Sequence, residues 1–218
     1  GYITVNGGTI DITAYSDGFH ASQLLNINGG DINIETTCPA NSSSGGNTGW
    51  GGGRFPGGST STSTDVSAKG LKAGCTDDTT STTVEGTINI AGGNITINST
   101  DDSVHATDVN ISGGNIQASS GDDGIHADDV LTITDGIINI TKSYEGLEAY
   151  DIEIKGGNIH VVSSDDGFNA AGGNDSSGNT NNGGWGQGGW GGSSSTGTLN
   201  ISGGYMYVRA EGDGLDSN

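Results

Sequence analysis

A glycine pair that returns at a nearly constant step constrains this chain more than any other feature. Gly7-Gly8, Gly29-Gly30, Gly92-Gly93, Gly113-Gly114, Asp135-Gly136, Gly156-Gly157 and Gly203-Gly204 fall 21 or 22 residues apart wherever nothing is inserted. Residues 101–129, DDSVHATDVNISGGNIQASSGDDGIHADD, spell the whole unit: an acidic pair, a short strand-like run, a second apolar run and the glycine pair. A fixed period of this length with strand-like alternation inside it predicts a β-solenoid. The expected fold is therefore all-β, a right-handed parallel β-helix of about seven rungs forming a single domain over 1–218, its hand set by the twist preference of parallel connections.

Each period contains three short runs. After the glycine pair come TIDIT, DINIE, NITIN, NIQAS, IINIT, NIHVV and YMYVR, in which alternate residues share one face. Ile10/Ile12, Ile32/Ile34, Ile95/Ile97, Ile138/Ile140 and Met206/Val208 are thus expected inside. The second run places Phe19, Leu71, Val104, Ile125, Leu147, Phe168 and Leu215 inward, and the third (ITVN, LLNIN, TINIA, DVNIS, VLTIT, DIEIK, TLNIS) leads into the next glycine pair. Only 30% of the residues are hydrophobic and 43 are glycine, too little for a thick core but enough for an interior one side chain deep.

The step lengthens twice. Excursions are expected at about 39–68, 75–86 and 172–197, all Gly/Ser/Asn-rich and unable to pack alone. Cys38 and Cys75 flank the longest one, and a disulfide between them would tie its base to the rod. Trp50, Trp185 and Trp190 all lie in these glycine tracts, where an aromatic ring is costly to leave in water; they are the expected carbohydrate-stacking residues.

A net charge of −20 makes nucleic acid and anionic membranes poor partners and divalent cations good ones. No apolar run is long enough to span a membrane. Just before each second run stands Asp17, Lys69, Asp102, Asp123, Glu145, Asp166 or Asp213, several preceded by another acid: Asp101, Asp122 and Asp165. A stacked column of carboxylates is strained unless a cation neutralises it, and hard oxygen ligands suit Ca²⁺. A second acidic column, Asp108, Asp128/Asp129 and Asp151, follows the same run about 20 Å further along extended chain, so the two columns are expected to hold separate calcium rows. The alternative is a solvated acidic face or Asp-Gly turn chemistry. Within the second run the outward row is His20, Lys72, His105, His126, Glu148, Asn169 and Asp216. His105 and His126 beside acids could take a transition metal, but the row reads first as an ordinary exposed ladder.

The DDGIHADD repeat, the GG-x-I-x-I runs, the glycine-rich insertions and the terminal GDGLDSN resemble the secreted clostridial-type, pectate-lyase-like β-helix proteins. The resemblance covers nearly the whole chain. It implies calcium at the acidic corners (Asp101, Asp102, Asp122, Asp123, Asp128, Asp129, Asp165, Asp166) and binding of acidic or plant cell-wall polysaccharide without cleavage, outside the cell or on its surface. Lys69 departs from the pattern, standing where the other repeats carry acid.

Three functions compete at this level. A non-catalytic, calcium-dependent polysaccharide-binding module fits best. A lyase would need a positioned base, and the chain offers few basic residues; a hydrolase needs two carboxylates in unlike environments, whereas these acids repeat. The third is a structural subunit. Joined tail to head, GDGLDSN and GYITVNGG keep the period, so Ile3 and Val5 of one copy could complete the last repeat of another beside Leu215, giving a head-to-tail homo-polymer.

Overall fold

A computed structural model describes residues 1–38, 68–77, 82–170 and 197–217. Among these there is no helix, and all strands but two join one 16-stranded, parallel sheet. The expected excursions at 39–68 and 172–197 lie almost wholly outside the described residues, and so do Trp50, Trp185 and Trp190. Within 75–86 a short antiparallel pair forms, Cys75–Asp77 with Thr82–Val84.

Each of the three runs pairs with its equivalent in the neighbouring repeat, in register. In the first row Ile10 lies opposite Ile32, which lies opposite Ile95, then Ile116, Ile138, Ile159 and Met206. In the second, Phe19, Leu71, Val104, Ile125, Leu147, Phe168 and Leu215 stand in line. In the third the line is Ile3, Leu25, Ile88, Val109, Leu131, Ile152 and Leu199. These rows meet in one hydrophobic core, and the central members are fully buried. Each such aliphatic side chain contributes roughly 1.5–3 kcal/mol on burial.

The outermost repeats bury less. Ile3, Ile10, Ile12, Phe19, Leu199, Met206 and Val208 are partly buried against the core, while Leu215, expected inside, is 54% exposed. Leu215 has Phe168 on one side, and among the described residues its strand has no further neighbour in the sheet. In the middle repeats the strands are also longer than expected. Val104–Ser119 and Ile125–Lys142 run through the glycine corner, with irregularities in register there and between Ala106 and Asp108. The corner itself needs glycine. At Gly30, φ is 113°, and a Cβ would come within 3.0 Å of the Gly8 carbonyl oxygen. Cys38 is buried beside the Tyr15 hydroxyl, and no disulfide is formed among the described residues. The Cys75 side chain, the other half of the expected bridge, lies outside them.

Candidate functional site

The acid column before the second strand row has a structural task. One carboxylate oxygen of Asp17, Asp102, Asp123 and Asp166 accepts a backbone N–H from the same position in an adjacent repeat. Lys69 N–H donates to Asp17 Oδ1 (3.0 Å), Asp123 N–H to Asp102 Oδ1 (3.0 Å), Glu145 N–H to Asp123 Oδ1 (3.0 Å) and Asp213 N–H to Asp166 Oδ1 (2.6 Å). These bonds tie one repeat to the next rather than closing a local turn, and they account for one oxygen of each of the four acids. They leave the other oxygen to face the side chains of the strand that follows.

Those side chains are not the exposed ladder that alternation suggests. Asp102 (2% exposed), Asp123 (0%), His126 (2%), Glu148 (3%), Glu145 (6%) and Asn169 (8%) are all buried. His105 and His126 stack with ring centroids 4.5 Å apart. His105 Nδ1 lies 2.8 Å from Asp102 Oδ2 and its Nε2 3.2 Å from Asp128 Oδ1. His126 Nδ1 faces Asp123 Oδ2 at 3.5 Å and Glu148 Oε2 at 3.3 Å, and its Nε2 faces Asp128 Oδ1 at 3.7 Å. Asn169 Nδ2 donates to Glu145 Oε2 at 2.9 Å.

Electrostatics differ sharply along this row. Burial alone would raise Asp102, but the Lys69 ammonium, with His105 and His126, holds its carboxyl far below the usual range. Lys69 Nζ is paired with Asp102 Oδ2 and, at 3.2 Å, with Asp101 Oδ1; these anions outweigh burial and raise its pKa. Burial would lower His126, yet Asp123, Asp102 and Glu148 push it up to about 10. Glu145 goes to about 7, raised by burial and by Asp123, Asp166 and Asp165 against the Asn169 hydrogen bond. Burial raises Glu148 too, with His126 opposing.

The metal residues expected from sequence sort into three fates. Asp101, Asp102 and Asp122 bring oxygens within 4.8 Å of one another, but a lysine ammonium already sits between Asp101 and Asp102. Asp122, Glu145, Asp165 and Asp166 share a flank without that lysine, where the Tyr144 hydroxyl bonds to Asp165 and is pushed up to about 12. The second column forms only in part: Asp108, raised first by burial, also feels the Asp129 carboxylate, but the strand register departs from a straight line of acids. Val130, not Asp128 or Asp129, lies opposite both Asp108 and Asp151, because the register shifts between Ala127 and Val130. Asp128 instead turns to His105 and His126, so the two columns meet across the imidazoles rather than standing about 20 Å apart.

A second surface lies on the first strand row. Its outward positions run Thr96, Gln117, Asn139, His160 and Tyr207 in one line and Asn94, Asn115, Ile137, Asn158 and Tyr205 beside it. Asn139 Nδ2 donates to Gln117 Oε1 at 2.6 Å, and Asn94 Nδ2 to Asp31 Oδ1 at 2.8 Å. His160 and Tyr207 stack 4.7 Å apart and nearly parallel, while Tyr205 (64%), Tyr207 (46%) and Ile137 (51%) stay open to solvent. This is a flat strip of aromatic faces and amides, able to stack and hydrogen-bond at once.

A family model described as a carbohydrate-binding domain-containing protein matches residues 1–124 and again 122–218. The chain belongs to that family. No curated protein and no solved structure matches it. In this carbohydrate-binding family member, Tyr205 and Tyr207 of the strip are not among the residues that the sequence reading singled out to meet carbohydrate. Their signal was present in YMYVR, where two tyrosines share the outward parity, but tyrosine on a strand reads equally well as ordinary sheet chemistry. The burial of His126 and Glu148 had no sequence signal at all.

Proposed function

We propose that the chain is a non-catalytic, extracellular carbohydrate-binding protein, built as a right-handed parallel β-helix, that lays a polysaccharide along the strip formed by His160, Tyr205, Tyr207, Asn139 and Gln117. One observation carries this reading: two exposed tyrosines, one stacked on His160, stand beside a hydrogen-bonded amide ladder in a chain of a carbohydrate-binding family. Sugar rings offer an apolar face for the tyrosines and hydroxyls for the amides.

Calcium enters this reading on the flank of Asp122, Glu145, Asp165 and Asp166. Carboxylates crowd Glu145 there, and Ca²⁺ would relieve the crowding and bridge to the uronates of an acidic polysaccharide. The test is retention on polygalacturonate and on neutral cell-wall glucan by affinity electrophoresis. Tyr205→Ala with Tyr207→Ala should weaken retention on both by at least about tenfold, the loss expected of aromatic anchors. Chelator should weaken only the polygalacturonate arm and lower the melting temperature. Reducing-sugar and unsaturated-product assays should stay flat. Loss confined to Trp50→Ala, Trp185→Ala or Trp190→Ala would move binding to the glycine-rich excursions and overturn the strip.

A second reading, the head-to-tail fibre, draws on one feature. Leu215 (54%) and Ile201 (38%), which lie opposite the buried Phe168 and Ile154, are exposed on strands that among the described residues have a partner on one side only.

A further inference from the structure

Three buried ligand atoms converge without a hydrogen bond to satisfy them: Asp123 Oδ2, His126 Nδ1 and Glu148 Oε2. Their residues are 0%, 2% and 3% exposed, and the three atoms lie within 4.8 Å of one another. Buried polar atoms that make no hydrogen bond are costly, and the imidazole–carboxylate contacts at 3.3 and 3.5 Å do not supply one, so the convergence has room for an occupant. We propose that Asp123, His126 and Glu148 bind a divalent transition-metal ion of the zinc class.

The spacing supports this assignment. Nitrogen and oxygen ligands about 2.0–2.1 Å from a tetrahedral ion stand about 3.3–3.4 Å from each other. His126 Nδ1 is 3.3 Å from Glu148 Oε2 and 3.5 Å from Asp123 Oδ2. Calcium fits poorly, because it takes six to eight oxygens at about 2.3–2.6 Å, whereas an imidazole nitrogen at the centre of the set selects a softer ion.

The surroundings are those of a held ligand set. Asp123 Oδ1 is fixed by the Glu145 N–H, which leaves Oδ2 aimed at the histidine. With Nδ1 on the metal, the His126 proton sits on Nε2, which lies 3.7 Å from Asp128 Oδ1, beyond hydrogen-bond distance but close enough to feel its charge. The stacked His105 ring backs it at 4.5 Å. The same scaffold one repeat earlier is already filled, since Lys69 supplies the cation beside Asp102. One repeat later the histidine position carries Glu148 and then Asn169. The site therefore occurs where a histidine and two free carboxylate oxygens coincide.

The test uses the full chain, stripped with chelator and titrated with Co²⁺. The expected result is a visible absorption band of a low-symmetry nitrogen/oxygen site that saturates stoichiometrically, is bleached by Zn²⁺ and survives an equal concentration of Ca²⁺. His126→Gln and Glu148→Gln, each checked for native circular dichroism, should lower Co²⁺ affinity more than tenfold. Asp128→Asn, which removes only a nearby charge, should lower it less than either ligand variant does. X-ray absorption of the zinc-loaded native chain reads the imidazole nitrogen without any variant, should the substitutions unfold it. A spectrum that stays that of the aqueous ion, displacement by equimolar Ca²⁺, or unchanged affinity in both ligand variants would overturn the assignment and leave His126 as an imidazolium clamped between two carboxylates.

Discussion

Lys69 shows how one residue alters the chemistry of a repeat. Its ammonium lies between Asp101 and Asp102 with its side chain 12% exposed, while the Asp102 side chain is 3% exposed. Removing one partner of such a pair leaves the other charge buried, at a cost of up to about 3–5 kcal/mol. Asp102→Asn should therefore destabilise the chain at neutral pH, and the effect has a defined pH dependence. The Asp102 pKa is depressed in the folded state, so its contribution is complete above the unfolded value of about 3.9 and is lost as pH falls through the lower folded value. Urea melts of the native chain and Asp102→Asn should differ by a constant amount from pH 7 to about pH 4 and converge below it. A difference that instead opens as the pH falls would show that Asp102 is not held ionised by Lys69.

At the scale of the element, the second strand row depends on glycine at its entry, for a reason of space. A Cβ on Gly146 would stand 2.3 Å from the Gly167 carbonyl oxygen and 2.3 Å from Val161 Cγ1; on Gly124 it would stand 2.5 Å from the Gly146 oxygen. Neighbouring repeats approach so closely here that no side chain fits between them. Gly146→Ala should cost at least about 1–3 kcal/mol as an overpacking change. Gly7→Ala, where nothing lies within 4 Å, should stay within about 0.5 kcal/mol. Thermal melts of the two variants check the contrast, and equal losses would mean that glycine serves the turn and not the close approach.

Across the whole molecule, each repeat bonds mainly to its neighbours, and apart from Ile137 the large exposed apolar residues lie toward the outermost described repeats. The fibre reading makes a prediction at this scale. Leu215 is exposed and Val5 is 7% exposed, so Leu215→Asp probes the edge without disturbing the core, whereas Val5→Asp would bury a charge. If copies add head to tail, the native chain should sediment as growing oligomers in Ca²⁺ at high concentration, and Leu215→Asp should remain monomeric. A native chain that sediments as a monomer under those conditions removes the fibre. Polysaccharide retention should be indifferent to the substitution, because Leu215 lies on the second strand row and the tyrosine strip on the first.

The period of the glycine pairs and the parity of Ile95/Ile97, Ile138/Ile140 and their equivalents were enough to determine an all-β chain, the residues that face the core and the parallel pairing of like with like. Those are properties of a local repeat, and stacking copies of it leaves few choices. The sequence could not determine what lies over the outward rows. Alternation assigns His126 and Glu148 to a face but says nothing of what covers that face, and both are buried. Nor does spacing along the chain reveal that a register shift swings Asp128 onto His105 and His126, that Lys69 reaches Asp102 from 33 residues away, or that Tyr207 comes to rest on His160. These outcomes depend on which side chains adjacent repeats bring together and on how long each is. Only the assembled tertiary structure decides that.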